Sequence, residues 1–174
     1  NQLLKFIDRV DYSSYKDLYE NFKIHVPENF NFAYDVVDEY AKNDPKKEAL
    51  VWCDDNDESH IFTFKDLSLA SKRTANFLVA NGIQKGDRVQ LMLRRRYEFW
   101  FFLLALHRIG AIAVPATNML TSADLEYRFK AADIKMVVSY DDPNLQKEIE
   151  SAKEKAPSVQ SLVAIGQPRQ GWIS

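Results

Sequence analysis

Arg94, Arg95 and Arg96 follow directly on the β-rich run Val89-Gln90-Leu91-Met92-Leu93. Arginine presents a planar fork of donors that matches phosphate. The C-terminal rim of a parallel strand is where α/β proteins hold their ligands. Two readings stand side by side. Arg95 belongs to a phosphate-binding rim, or the three charges form a polar stop between a buried strand and a buried helix. The turn Thr117-Asn118-Met119 holds the same kind of position after a second β-rich run. Thr117 and Asn118 can hydrogen-bond, whereas Met119 can only pack. This turn either lines a substrate cleft or leads into a helix capped at Thr121.

No other set of residues assembles a site. Gly166 and Gly171 have the glycine spacing of a phosphate loop, but Trp172 and Ile173 stand where that loop needs Lys and Ser or Thr. His25, His60, His107 and Cys53 are not at metal-ligand spacing. The acidic stretch Asp54-Asp55-Asn56-Asp57-Glu58 imitates a calcium loop begun at Asp55. His60 then takes the place of the required Gly, and Asp66 that of the final Glu. It reads as a solvated turn. No Ser–His–Asp or Cys–His arrangement has support, so catalytic and metal-ligating residues are expected to be none.

The elements that position these rims follow from periodicity. A helix over 14–22 places Tyr15, Leu18, Tyr19 and Phe22 on one face. Asn31 caps a second helix, with Ala33, Val36, Val37 and Tyr40 inward, ending near Asn43-Asp44-Pro45. Strands 49–53 and 61–64 flank the polar turn 54–60 as a hairpin. Thr63-Phe64-Lys65-Asp66 is a capping box opening a helix that ends at Asn81-Gly82. Strands 89–93, 111–116, 135–140 and 161–165 then alternate with helices 97–109, 125–132 and 143–156. A second box, Thr121-Ser122-Ala123-Asp124, opens the middle helix. Parallel strands joined by helical crossovers are the economical solution. The fold class is therefore α/β: leading helices (14–45), a β-hairpin (48–64), then βα units (65–166) forming a partial parallel sheet. The apolar helix over 99–106 must be packed on more than one side. The stretch Gln167-Pro168-Arg169-Gln170-Gly171 reads as a linker or the start of a further segment.

Composition excludes several classes. The chain has 174 residues, 46% hydrophobic and 28% charged, with a net charge of −2, which gives no field for nucleic acid. Five Gly, six Pro and one Cys exclude collagen-like, disordered and disulfide-rich chains. The lone Cys53 points to a reducing compartment, the cytoplasm or a mitochondrial matrix. The N-terminal run from Asn1 to Arg9 is broken by charge too early for a secretory signal. The apolar run over 99–106 falls well short of the roughly 20 residues of a membrane span. Aromatics reach 13%, more than a minimal core needs, and suggest an interior completed by strands outside this stretch.

Several stretches, in order, resemble the N-terminal part of the AMP-forming acyl-CoA synthetases of the adenylate-forming superfamily, and within it the acetyl- and medium-chain branch. These are Val26-Pro27-Glu28-Asn29-Phe30-Asn31-Phe32-Ala33, Thr63-Phe64-Lys65-Asp66-Leu67 and Gly82-Ile83-Gln84-Lys85-Gly86-Asp87-Arg88-Val89. Glu98-Phe99-Trp100, Arg108-Ile109-Gly110-Ala111, Val114-Pro115 and Ser122-Ala123-Asp124-Leu125-Glu126-Tyr127-Arg128 follow in the same order. The resemblance implies a two-step ligase that joins a fatty or other carboxylic acid to coenzyme A, using ATP and Mg2+ and releasing AMP. It also implies that Thr117, Asn118 and Met119 lie near the coenzyme A and substrate channel. The family's Ser/Thr/Gly-rich phosphate loop, adenine and ribose motifs and lid lysine are not in these 174 residues. The chain alone is therefore expected to bind no cofactor and to be inactive, with its interior sheet edge prone to self-association. The rival reading is a non-enzymatic α/β interaction or receiver-like module, with Asp141-Asp142 as its acidic pair. An aryl-CoA ligase or a peptide-synthetase adenylation domain is a third.

Overall fold

In the computed structural model, which describes residues 2–167 and 169–174, Val89, Leu91 and Leu93 enter one apolar cluster and Met92 the other. Alternate side chains of one strand point to opposite faces, so this strand is covered on both. It is β3 (Arg88–Met92) of a four-stranded parallel sheet with β4 (Ile112–Pro115), β5 (Ile134–Tyr140) and β6 (Ser161–Ile165). The order across the sheet is β4-β3-β5-β6. One face is packed by α3 (Phe64–Ala80) and α4 (Glu98–Ile109), through residues such as Leu78, Phe102 and Leu106. The other is packed by α5 (Ser122–Ala131) and α6 (Pro143–Lys153), through Leu125, Phe129, Leu145 and Ile149. The α/β reading with alternating parallel crossovers therefore holds.

Both capping boxes form. The Thr63 hydroxyl accepts from the Asp66 N–H at 3.2 Å, and the Asp66 carboxylate accepts from the Thr63 N–H at 2.9 Å. Thr121 and Asp124 repeat the exchange at 3.4 and 3.1 Å. At the far end of α4, Gly110 closes the helix at φ 68°, a left-handed conformation suited to Gly.

The hairpin, β1 (Glu48–Cys53) and β2 (Ser59–Thr63), is antiparallel and lies apart from the main sheet. Aromatic side chains fasten it to α4. Tyr97 meets Trp52, His60, Phe62 and Phe101 at centroid distances of 5.0–5.7 Å. α4 is thus packed on two sides: Leu104 and Phe101 face the hairpin cluster, Phe102 and Leu106 the sheet.

Two leading elements differ from the sequence reading. In α1 (Tyr15–Asn21) no residue is buried, and Tyr15 and Tyr19 are 79% and 78% exposed. Local hydrogen bonds hold this short helix instead: Asp17 accepts from Ser13 and Asn21 and pairs with Arg9. The second helix begins as a wide π-helical segment, Ala33–Asp38, before α2 (Glu39–Asn43). Asn31 organises its start, accepting from the Ala33 N–H at 3.0 Å while its own N–H donates to Asp35 at 2.6 Å. The widened turn ends at Asp38, which grips Arg108 at 2.6 and 2.9 Å between α3 and α4. The final segment does not behave as a linker where it is described. Arg169 and the Trp172 indole both donate to Glu150 of α6, and Ile173 bridges to β6. Pro168 within that stretch, and Asn1 in the N-terminal reading, lie outside the described residues.

Candidate functional site

The direction of strand addition reverses at β3. β4 lies on one side of it, β5 and then β6 on the other. The loops leaving the C-terminal ends of β3 and β5 part there, which opens a crevice. Leu93 accepts from the Arg96 N–H at 3.0 Å, turning the chain directly after β3. Arg94 has φ 51° in that turn. The Trp52 indole N–H donates to the Arg95 carbonyl at 2.7 Å, which pins the hairpin to the rim. Arg96 is held by Glu98 through two bonds of 2.8 and 3.1 Å. Between the hairpin end and this turn lies a cleft of about 260 Å³, with Asp54 and Asp55 on one wall, Arg94 and Arg95 on another, and Tyr140 beside them. Cys53, exposed, also borders it.

Tyr140 links the two rims picked out in the sequence. Its hydroxyl accepts from the Asn118 amide at 3.2 Å and donates to Asp142 at 3.3 Å. Burial and the neighbouring Asp142 charge push the phenol above its ordinary value. Asp142 in turn caps α6, accepting from the N–H groups of Asn144 and Leu145 at 2.9 and 3.0 Å. Arg95 and Asn118 thus border one Tyr140. Thr117 and Met119 are exposed: the Thr117 hydroxyl accepts from the Met119 N–H at 3.4 Å, and Met119 is 82% exposed.

Tyr140 and Trp52 were not singled out as site residues by the sequence reading, and Arg94 entered it only as part of the arginine cluster. Position supplied a usable signal only for Tyr140, the last residue of a strand at the binding end of a sheet. The acidic pair of the receiver-like reading serves the backbone. Asp142 caps α6, and Asp141 accepts from the Gln167 N–H at 3.1 Å, filling the space where a Cβ on Gly166 would sit. Among the described residues no three His, Cys, Asp or Glu side chains converge as a metal site, and no helix is long and apolar enough to cross a membrane.

The motif Gly86-Asp87-Arg88 lies at the opposite end of the sheet, where it is scaffold. Asp87 accepts from the Gln84 N–H at 2.7 Å and from Lys135 at 2.8 Å. Arg88 donates to the Ala132 carbonyl at 2.8 Å and pairs with Asp133, closing the end of α5.

Residues 37–173 match the family described as AMP-binding enzyme. The chain belongs to that family. It is 32% identical over 169 residues to the mitochondrial acyl-coenzyme A synthetase ACSM3 of Mus musculus, covering 93% of the chain and 29% of that protein. It is 34% identical over 156 residues to the mitochondrial acyl-coenzyme A synthetase ACSM5 of Rattus norvegicus, covering 86% of the chain and 27% of that protein. The chain thus spans less than a third of these relatives. Two solved structures share its fold. A protein reported as a long-chain-fatty-acid CoA ligase of Rhodopseudomonas palustris matches at TM-score 0.72 and 22% identity, over 84% of this chain and 35% of that one. The anthranilate CoA ligase AuaEII, solved with anthranoyl-AMP, matches at TM-score 0.75 and 24% identity, over 86% and 27%.

Proposed function

We propose that these 174 residues are the opening part of the large domain of an ATP-dependent, AMP-forming acid–CoA ligase acting on fatty or other carboxylic acids. The observation that supports it best is 31–34% identity to acyl-coenzyme A synthetases along nearly the whole chain. In this reading ATP, Mg2+ and coenzyme A are the cofactors of the whole protein, and the acid and coenzyme A its partners. The relatives' names place them in mitochondria, and the reducing matrix suits a chain with the single, exposed Cys53. Thr117, Asn118 and Met119 border the coenzyme A and acid channel, and Arg95 faces phosphate at the rim.

The residues present fit a phosphate group in one respect, two exposed arginines at a strand's C-terminal end. Adenylation also needs cations and N–H donors aimed at the charge developing on the α-phosphate. The sequence lacks the Gly-rich loop and lysine that would supply them. The chain on its own is therefore a supporting framework and catalyses no adenylation. ATP–pyrophosphate exchange by the isolated chain with a panel of carboxylic acids should equal a heat-killed control. Exchange above that control would overturn the inactive reading. If the whole protein forms no acyl-CoA from any acid in the panel, the ligase reading itself fails.

A further inference from the structure

Arg94 and Arg95 are exposed, and among the described residues neither guanidinium meets a carboxylate or a carbonyl, whereas Arg96 is taken by Glu98. Arg94 occupies the first central position of the Leu93–Arg96 turn at φ 51°, and Arg95 after it has no positive φ. A positive φ is uncommon for a residue other than Gly, and Gly adopts it at least cost. A turn that only connected β3 to α4 would be less strained with Gly there. Strain of this kind persists where the side chain has work to do.

We propose that Arg94 and Arg95 form an anion subsite that takes a phosphate group on their side of the switch-point cleft. The wall behind them is fixed, because the Trp52 indole is bonded to the Arg95 carbonyl and Tyr140 is bonded to Asn118 and Asp142. The cleft, about 260 Å³, has room for a pyrophosphate or the terminal phosphates of a larger ligand. Two adjacent forked donors suit such a group, which carries more than one charge. Asp54 and Asp55 line the facing wall. The Asp54 carboxylate is held by the N–H groups of Asn56 and Glu58, each at 2.9 Å, so that wall repels anions and confines them to the arginine side. The inference rests on the rim reading of Arg95 and not on the ligase reaction.

Calorimetric titration of the 174-residue chain with inorganic pyrophosphate, ATP and coenzyme A tests it. Saturable pyrophosphate binding is expected, weakened about tenfold or more by Arg95→Gln and by Arg94→Gly. Arg94→Gly should melt at or above the wild-type temperature, which separates lost binding from lost folding. Asp55→Asn should tighten binding a few-fold. Equal arginine dependence for all three ligands means that phosphate alone is recognised. Dependence confined to coenzyme A or to ATP assigns the subsite to that ligand's phosphates. Affinities unchanged in both arginine variants, or no saturable binding of any ligand at millimolar concentration, would overturn the proposal. Exchange activity in the same preparations bears on the ligase reading alone.

Discussion

Arg108 is the most committed single side chain outside the cleft. It is 3% exposed, holds Asp38 through two bonds and donates to the Ser71 hydroxyl at 2.9 Å. Burial pushes the Asp38 carboxyl up, but bonds from Arg108 and Ser68 outweigh it and leave the group below its ordinary value. Removing Arg108 leaves the largely buried Asp38 carboxylate with only the Ser68 hydroxyl and the more distant Lys72, at 3.6 Å. Arg108→Leu should therefore cost about 3 kcal/mol, or about 6–12 °C of melting temperature for a chain of this size. A loss under about 1 kcal/mol would show that Lys72 or water compensates the Asp38 charge. A carboxyl with a depressed folded pKa contributes stability above its unfolded value, about 3.9, and loses that contribution as pH falls through the folded one. The urea midpoint should consequently drop more steeply below about pH 4 in the wild type than in Asp38→Asn.

Among the elements, α5 and the last segment offer the cleanest tests. Thr121 satisfies an N–H at the start of α5 that has no partner within the helix, and the helix begins just after the Thr117–Met119 turn. Thr121→Ala should cost about 1 kcal/mol, read from the denaturant midpoint, and should speed amide exchange in that turn. Glu150 anchors Arg169 and Trp172, and those bonds from Arg169 hold its carboxyl below the ordinary value. Glu150→Gln should release the segment from β6, with faster exchange at Ile173 and a red shift in tryptophan emission. Unaltered exchange at Ile173 would mean that its bonds to β6 suffice alone. The capping boxes were readable in the sequence because each is a contact across three residues. The π-helical start of the second helix was not. It ends at Asp38, whose partner Arg108 lies 70 residues away in sequence.

At the scale of the molecule the sheet has two unlike edges. β6 is covered by Ile173, whose N–H and carbonyl bond to Leu162 and Ala164 at 2.9 and 2.8 Å. β4 is open, with Ile112 49% exposed. Ile112 and Ala116 direct their N–H groups to the β3 side, so alternation turns Ala113 and Pro115 outward. Pro115 has no N–H, leaving one outward donor, Ala113, among the described residues. The open edge predicts weak self-association of the chain through β4. Its sedimentation coefficient should rise with concentration, and Ala113→Pro should return it to the monomer. A wild type that stays monomeric across the concentration range would rule this out.

The sequence by itself determined the order of elements, both capping boxes, the parallel crossovers and the family. Each rests on periodicity, on contacts a few residues apart, or on an ordered set of short motifs. Those motifs are largely scaffold, as Asp87 and Arg88 show at the far end of the sheet from the cleft. Arg95 and Asn118 were legible as two separate rims, since each follows a strand. That Tyr140 stands between them, that the hairpin pins the Arg95 carbonyl, and that Arg94 takes a conformation suited to Gly was decided only by the tertiary structure. Strand order is the physical reason. β3 and β5 are adjacent although β4 separates them in the chain, and no local pattern encodes which strands become neighbours.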